Sequence, residues 1–460
     1  MSTVILWLRR DLRLHDLPAL GAAHEAGSDI LPVFVLDPAL LGDSSVRTHV
    51  LFGALRALND SYDGALVLRT GKPEEVIPKL VAEVGANSVH ITLETTPFGR
   101  RRDERVRDAL GETPLIATGS PYAIGPGTIF NGSGDPYKVF TPFSKAWRAH
   151  GWPRPAEVPA DLTWRRGVDS EQLPDAPDLP EGMGVDEVSE AAAHDRWEEF
   201  SGEAVADYKD QRDLPSTDGT SRLSAQLKYG TIHPRTLLAD LGGREGDGIF
   251  TFVSELAWRE FYADVLWHNP SSVWTDLRQS LAAMPYDHPD DDPDTADLVD
   301  AWRAGKTGYP FVDAGMRQLL ADGWMHNRVR MVTASFLVKH LHVWWPVGAR
   351  HFMEHLIDGD IASNNHGWQW VAGTGTDAAP YFRVFNPITQ GKRFDPNGDY
   401  IRRYVPELRH LDGKSVHEPW KALDGQAHGY PDPIVEHSAA RSEALSRYEQ
   451  AREEQSGGTS

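Results

Sequence analysis

The chain contains no cysteine. That excludes disulfides, thiol nucleophiles and cysteine-based metal sites, and it is compatible with a reducing cytoplasm. No run approaches eighteen apolar residues, and the opening MSTVILWLRRDLRLHD carries only a strand-length apolar segment followed by charge. Neither a membrane span nor a secretory signal is expected. No GxGxxG follows the first apolar run and no HExxH occurs, so the usual dinucleotide and zinc-peptidase devices are missing. Positive charge is scarce, with 46 Lys and Arg against 67 Asp and Glu and a net charge of −21. Such a balance argues by itself against a nucleic-acid partner. At 460 residues the chain exceeds one ordinary core, so two or three domains are expected, in a cytoplasmic protein that is a monomer.

The charge is uneven. Acid gathers in 169–190, in 287–300 and near the tail, whereas basic residues gather in HNRVR (326–330), RVF…QGKRF (383–394) and IRR (401–403). An acidic protein with one basic face still meets phosphates through that face. Along the chain, VILWL, ILPVFVL, ALVLR, SVHITL and PLIAT read as strands apolar nearly throughout, alternating with helices such as RTHVLFGALRALNDSY. This pattern predicts a doubly wound parallel α/β domain over 1–125. A Pro-, Gly- and acid-rich connector follows over 126–190, with one ordered aromatic patch, DPYKVFTPFSKAW. An all-α domain is expected over 191–452 and a disordered tail over 453–460.

The stretch from Asp358 to Pro387 is the densest in chemistry: Asp358, Asp360, Asn364, Asn365, Trp368 and Trp370 lie within thirteen residues. Fixed polar groups beside large flat rings suit a planar, polar-edged ligand, although a Gly-rich loop anchored by aromatics has the same composition. Thr220, Ser221 and Ser224 offer hydroxyls ahead of a helix, as a phosphate site does and as an ordinary N-cap does. Glu255, Trp258, Arg259 and Tyr262 fall at i, i+3, i+4 and i+7, one helical face that either meets a base or packs in a core. Asn327 and Met331 lie one turn apart, flanked by Arg328 and Arg330. His326, His340 and His342 lack a carboxylate partner at metal spacing, so no metal site is expected.

The motifs LRRDLRLHD, GTSRLS, ELAWREFY, GKTGYPFVDAGMRQL, GWMHNRVRM and IDGDIASNNHGWQWVAGTGTDAAPYFRVFNP resemble the photolyase/cryptochrome flavoproteins over essentially the whole chain, and within them the class I cyclobutane pyrimidine dimer photolyases. The resemblance implies a U-shaped FAD in the helical domain and UV-damaged DNA as partner. Light would drive one electron from reduced FAD to a flipped-out dimer, whose ring splits before the electron returns. By the family's pattern Tyr208, Thr220, Ser221, Arg222, Leu223, Ser224, Phe252, Asp358, Gly359, Asp360 and Asn364 hold the cofactor. Glu255, Asn327, Asn364, Trp258, Trp370 and Met331 serve the reaction, and Trp368 and Trp345 carry electrons. Arg212, Glu255, Trp258, Arg259, Asn327, Arg328 and Gln390 contact DNA.

Two departures from the pattern stand out. Phe252 occupies a position where the family often has Trp. The third, surface Trp of the photoreduction chain should fall near 287–296, where this sequence reads DHPDDDPDTA; Tyr286, Trp274 and Trp302 are the substitutes at hand. The alternatives within the resemblance are a cryptochrome photoreceptor, opposed by Asn364 and the intact Glu255/Trp258/Asn327/Trp370 set, and repair of the (6-4) photoproduct, opposed by WMHN. Outside it stands an electron-transfer flavoprotein that does not touch DNA, for which the basic face has no use. The second chromophore expected of the family is a deazaflavin (8-HDF), a methenyltetrahydrofolate, another flavin or none. Neither LETTPFGRRRDER nor Arg47–His49 decides among these, with a slight lean to 8-HDF.

Overall fold

The computed structural model describes every residue except 1, 43, 282 and 458–460. Five strands form the N-terminal sheet: β1 (Thr3–Leu8), β2 (Asp29–Leu36), β3 (Val67–Thr70), β4 (Val89–Ile91) and β5 (Leu115–Ala117). They lie in the order β3-β2-β1-β4-β5, all pairs parallel. Every residue of β1 is buried because both faces are covered. Val4, Leu6 and Leu8 pack on one side with Val50 and Leu55 of α1 (Ser45–Ser61), while Ile5 and Trp7 pack on the other with Ile77 and Val106. The strand order reverses between β1 and β4, so Arg9 and Arg10 leave β1 at the switch point where such sheets open a crevice.

The connector is folded where its aromatic patch lies. It contains α2 (Phe140–His150), whose Phe143 and Trp147 join the helical core beside Phe252 and Phe261. Buried Glu260 accepts hydrogen bonds from the backbone N–H of Gly125 at 2.6 Å and Ile124 at 3.1 Å, and from Trp147 Nε1 at 2.8 Å. One turn on, Asp264 accepts from the N–H of Gly127 at 2.7 Å. Glu260→Ala would leave three buried donors without an acceptor and is expected to cost on the order of 3 kcal/mol. Chemical denaturation checks this, and Glu260→Gln should lose less.

The helical domain places α3 (Val205–Gln211), α4 (Ser224–Tyr229), α5 (Asp247–His268), α6 (Asn327–Lys339), α7 (Trp345–His355), α8 (Ile361–Ala372), α9 (Pro387–Phe394) and α10 (His437–Gly457) around cores that include Tyr208, Leu227 and Phe261 on one side and Trp302, Phe336, Trp345 and Trp368 on the other. The stretch from Asp358 is a turn leading into α8, followed by irregular chain over 374–386. Asp360 caps that helix by accepting from the N–H of Ser363 at 3.0 Å, and Gly373 ends it at φ 86°, where glycine alone carries no Cβ penalty. The disordered tail expected from 453 meets a helix that continues to Gly457; its last three residues lie outside the described ones. Among the described residues no helix is long and apolar enough to cross a membrane.

Candidate functional site

A cavity of about 490 Å³ opens between α3, α4, α5, α6, α7 and α8. It brings together Tyr208, Ser221, Leu223, Ser224, Phe252, Glu255, Trp258, Arg259, Asn327, Arg328, Met331, Asp358, Gly359, Asp360, Asn364, Trp368 and Trp370, along with Arg212. The helical face read from α5 therefore lines the cavity, with Trp258 and Tyr262 also packed against the core behind it. Thr220, Arg222, Trp345 and Gln390 do not line it. The Thr220 carbonyl accepts from Arg196. The Arg222 side chain turns away, paired with Asp186 at 3.1 Å and lying over Trp324, while its backbone sits in the left-handed region at φ 52°. That conformation is unusual outside glycine, and it shapes the turn into α4.

The floor is electrostatically fixed. Asp360 pairs with Arg10, from the end of β1, at 2.5 Å. Burial alone would raise its pKa, but Arg10 and then Arg259 outweigh that and hold it down to about 2. Asp358 pairs with Arg330 at 2.7 Å through one oxygen, and its other oxygen is buried without a partner. The Asn364 amide donates both protons, to the Ala349 carbonyl at 3.2 Å and to Asn365 Oδ1 at 2.8 Å, which leaves its own Oδ1 as an acceptor. Lys228 also lines the cavity, and burial lowers its pKa well below the usual lysine value. It was not foreseen from the sequence, because a single lysine on a short helix carries no pattern.

The wall expected to meet DNA is made of paired charges and rings. Arg212 donates to Glu255 at 2.5 Å, and Arg328 holds Asp213 through two hydrogen bonds of 3.2 and 2.8 Å. Trp258 stacks on Phe140 of α2, with centroids 3.8 Å apart and planes within 9°. Arg259 lines the same cavity. It donates to the carbonyls of Pro121 at 2.9 Å and Leu227 at 3.0 Å and lies over Tyr122, so its guanidinium is occupied by the protein's own backbone. It belongs to the inner wall. Gln390 is half-exposed on α9, away from the cavity.

Behind the cavity Trp368 packs edge-on against Trp302 at 6.1 Å, and Trp302 is fully buried. Trp345, also buried, donates Nε1 to Asp276 at 2.7 Å and stacks parallel on Trp274 at 6.4 Å, with 8° between planes. Trp274 is half-buried. A second cavity of about 780 Å³ lies between the two domains, lined by Trp7, Phe34, Arg47, Glu94, Phe98, Arg101, Tyr229 and Trp274 among others. Asp360, Gly359 and Lys228 line both cavities.

Comparison with known proteins assigns this architecture. Residues 4–160 match the family described as DNA photolyase, and residues 252–450 match the FAD binding domain of DNA photolyase. The deoxyribodipyrimidine photo-lyase of Streptomyces griseus is 40% identical, with 98% of this chain and 99% of that protein covered. That of Escherichia coli is 37% identical, with 98% and 99% covered. Among solved structures, a bacterial class III photolyase from Agrobacterium tumefaciens superposes with a TM-score of 0.90 at 36% identity, covering 98% of each chain. A Synechocystis cryptochrome superposes at 0.88 and 27% identity, covering 97% of this chain and 99% of its own. With a parallel-sheet domain, a helical FAD-binding domain and full-length relatives at this identity, the chain belongs to the photolyase/cryptochrome family.

Proposed function

We propose that the chain is a deoxyribodipyrimidine photo-lyase, using FAD in the 490 Å³ cavity to split cyclobutane pyrimidine dimers in UV-damaged DNA under light. One observation carries the reading. A carboxylate (Glu255), two indoles (Trp258, Trp370) and an amide (Asn327), drawn from three helices, share a single cavity with Asn364 and the Asp358/Asp360 pair.

The residues present fit FAD. Apolar Phe252, Leu256, Phe352 and Trp368 suit a flat ring system. Asp358 keeps a buried oxygen in want of a donor, and Asn364 presents an acceptor, as a reduced flavin with a proton on N5 requires. What the bound cofactor supplies is light absorption and a one-electron exchange with the dimer that is redox-neutral overall. The protein's part is binding and polarisation. Photolyases are among the enzymes that take their target out of the base stack, and a dimer, already poorly stacked, leaves the duplex for a few kcal/mol. Trp258 and Trp370 supply ring faces to receive it, and Glu255, held by Arg212, would stabilise the dimer radical anion by donating or sharing a proton. Trp258→Ala is expected to weaken binding of dimer-containing DNA by about 1–3 kcal/mol. Glu255→Ala should lower the repair yield while FAD stays bound; unchanged yield removes Glu255 from the mechanism.

Two finer points belong to this reading. The motifs support a class I reading, with class III, the class of the Agrobacterium tumefaciens structure, as the alternative, and the antenna, with the same lean to 8-HDF, would occupy the interdomain cavity, which both LETTPFGRRRDER and Arg47 line. For photoreduction, we assign Trp274 as the third ring. Trp302 is sealed from solvent, whereas Trp274 stacks on Trp345 and is partly open. Electrons would pass from a thiol or similar donor in solution to Trp274 and on through Trp345 to Trp368. Trp274→Phe is expected to slow formation of reduced FAD under blue light sharply and to leave repair by chemically reduced protein unchanged. Equal photoreduction rates in the variant and the parent would exclude this route.

A further inference from the structure

The last turn of α7 carries a second cluster that the repair chemistry does not use. His351, Glu354 and His355 place one ligand atom each within 4.8 Å of one another, the group of this kind among the described residues. Two histidines at i and i+4 share a helical face, the spacing by which peptidase helices hold zinc. We propose that His351, Glu354 and His355 bind one divalent transition-metal ion of the zinc, nickel or copper type, whose preference for imidazole nitrogen matches this set.

Three observations point to a cation there. His351 is buried against Trp302, ring centroids 5.5 Å apart, and its Nε2 has no hydrogen-bond partner. An unpartnered buried nitrogen is costly unless something occupies it. His355 uses Nδ1 on the His351 carbonyl at 2.9 Å, so its lone pair sits on Nε2, and its ring lies 4.4 Å from that of His351. Both rings sit at the C-terminal end of α7, where the helix dipole favours positive charge, and exposed Glu354 adds a carboxylate. The nearby Arg303 opposes a cation, but it is paired with Asp300 at 3.0 Å. Two imidazoles and one carboxylate leave coordination positions for water. An ion held here fastens the turn that runs into Phe352 and Leu356, which line the FAD cavity.

Of the histidines singled out in the sequence, His326 caps α6 by accepting from the Arg328 N–H, and His340 is hydrogen-bonded to His437 at 2.8 Å. The test is calorimetric titration of tag-free full-length protein with Zn²⁺ in moderate salt, repeated with Co²⁺ to read ligand-field bands. The expected result is one saturable equivalent, nitrogen-ligated Co²⁺ bands and a higher melting temperature with metal. His355→Ala should lose all three. Because His351 is buried, exposed Glu354→Gln serves as the second variant and should weaken binding without altering the melting temperature of the metal-free protein. Absence of a saturable equivalent overturns the proposal. So does uptake that is undiminished in His355→Ala and Glu354→Gln, which would assign it to the acidic surface.

Discussion

Replacing Arg10 by Ala is expected to destabilise the protein by about 3 kcal/mol, the low end of the cost of breaking a buried ion pair, because Asp360 is buried while Arg10 is half-buried. Arg10 sits just past β1, and its guanidinium meets Asp360 at the start of α8, 350 residues away, at 2.5 Å. It also donates to the Lys228 carbonyl at 3.3 Å, so three segments converge on one side chain. Removing it leaves a buried carboxylate with Arg259 as the remaining charge partner. Arg10→Lys should recover only part of the loss, because an ammonium lacks the guanidinium's planar fork. Denaturant titration of Arg10→Ala, Asp360→Asn and the double variant checks the claim. The double variant should lose less than the two singles together, and additive losses would show that the pair is not coupled.

The second large effect is in acid. His233, His326, His342, His366 and His417 are buried with pKa values pushed by desolvation down to about 4, and His340 to about 3. In the unfolded chain each returns to about 6.5. The folded form therefore binds fewer protons, and the stability these groups contribute is fully present above about pH 6.5 and is lost as pH falls toward 4. Six such groups give a limiting slope of about 8 kcal/mol per pH unit between those values. Asp360, depressed to about 2, adds its own loss only below the ordinary carboxylate range. Tryptophan fluorescence against pH should show cooperative unfolding with a midpoint above pH 4. A fold that persists to pH 3 would mean that these rings reach water.

The parallel sheet was legible because its central strands are buried on both faces and so read as unbroken apolar runs, as in TVILWL and DILPVFVL, whereas the edge strands β3 and β5 are partly exposed. Glu255, Trp258 and Arg259 were legible as one face because helical period alone brings them together. The period does not say what that face meets. Both Trp258 and Arg259 line the cavity, but Arg259 also donates to carbonyls of Pro121 and Leu227 that no local pattern foretells. The same limit hid the Arg10–Asp360 pair, the anchoring of the connector by Glu260, and Trp274 against Trp345: each joins segments distant in sequence. His351 and His355 were within reach of spacing alone, since they lie one turn apart with Glu354 between them. Within the connector the aromatic patch was the legible part, since its Phe143 and Trp147 are buried while the flanking Pro and acid mark surface chain.

The most direct measurement is light-dependent repair by the purified protein with its FAD chemically reduced. Mixed in the dark with an oligonucleotide carrying one thymine dimer, it should bind and leave the dimer intact. Blue or near-UV light should then return intact thymines over many turnovers, with the flavin reduced at the end as at the start. Binding without any light-dependent loss of dimer would contradict repair and leave a photoreceptor of the same fold.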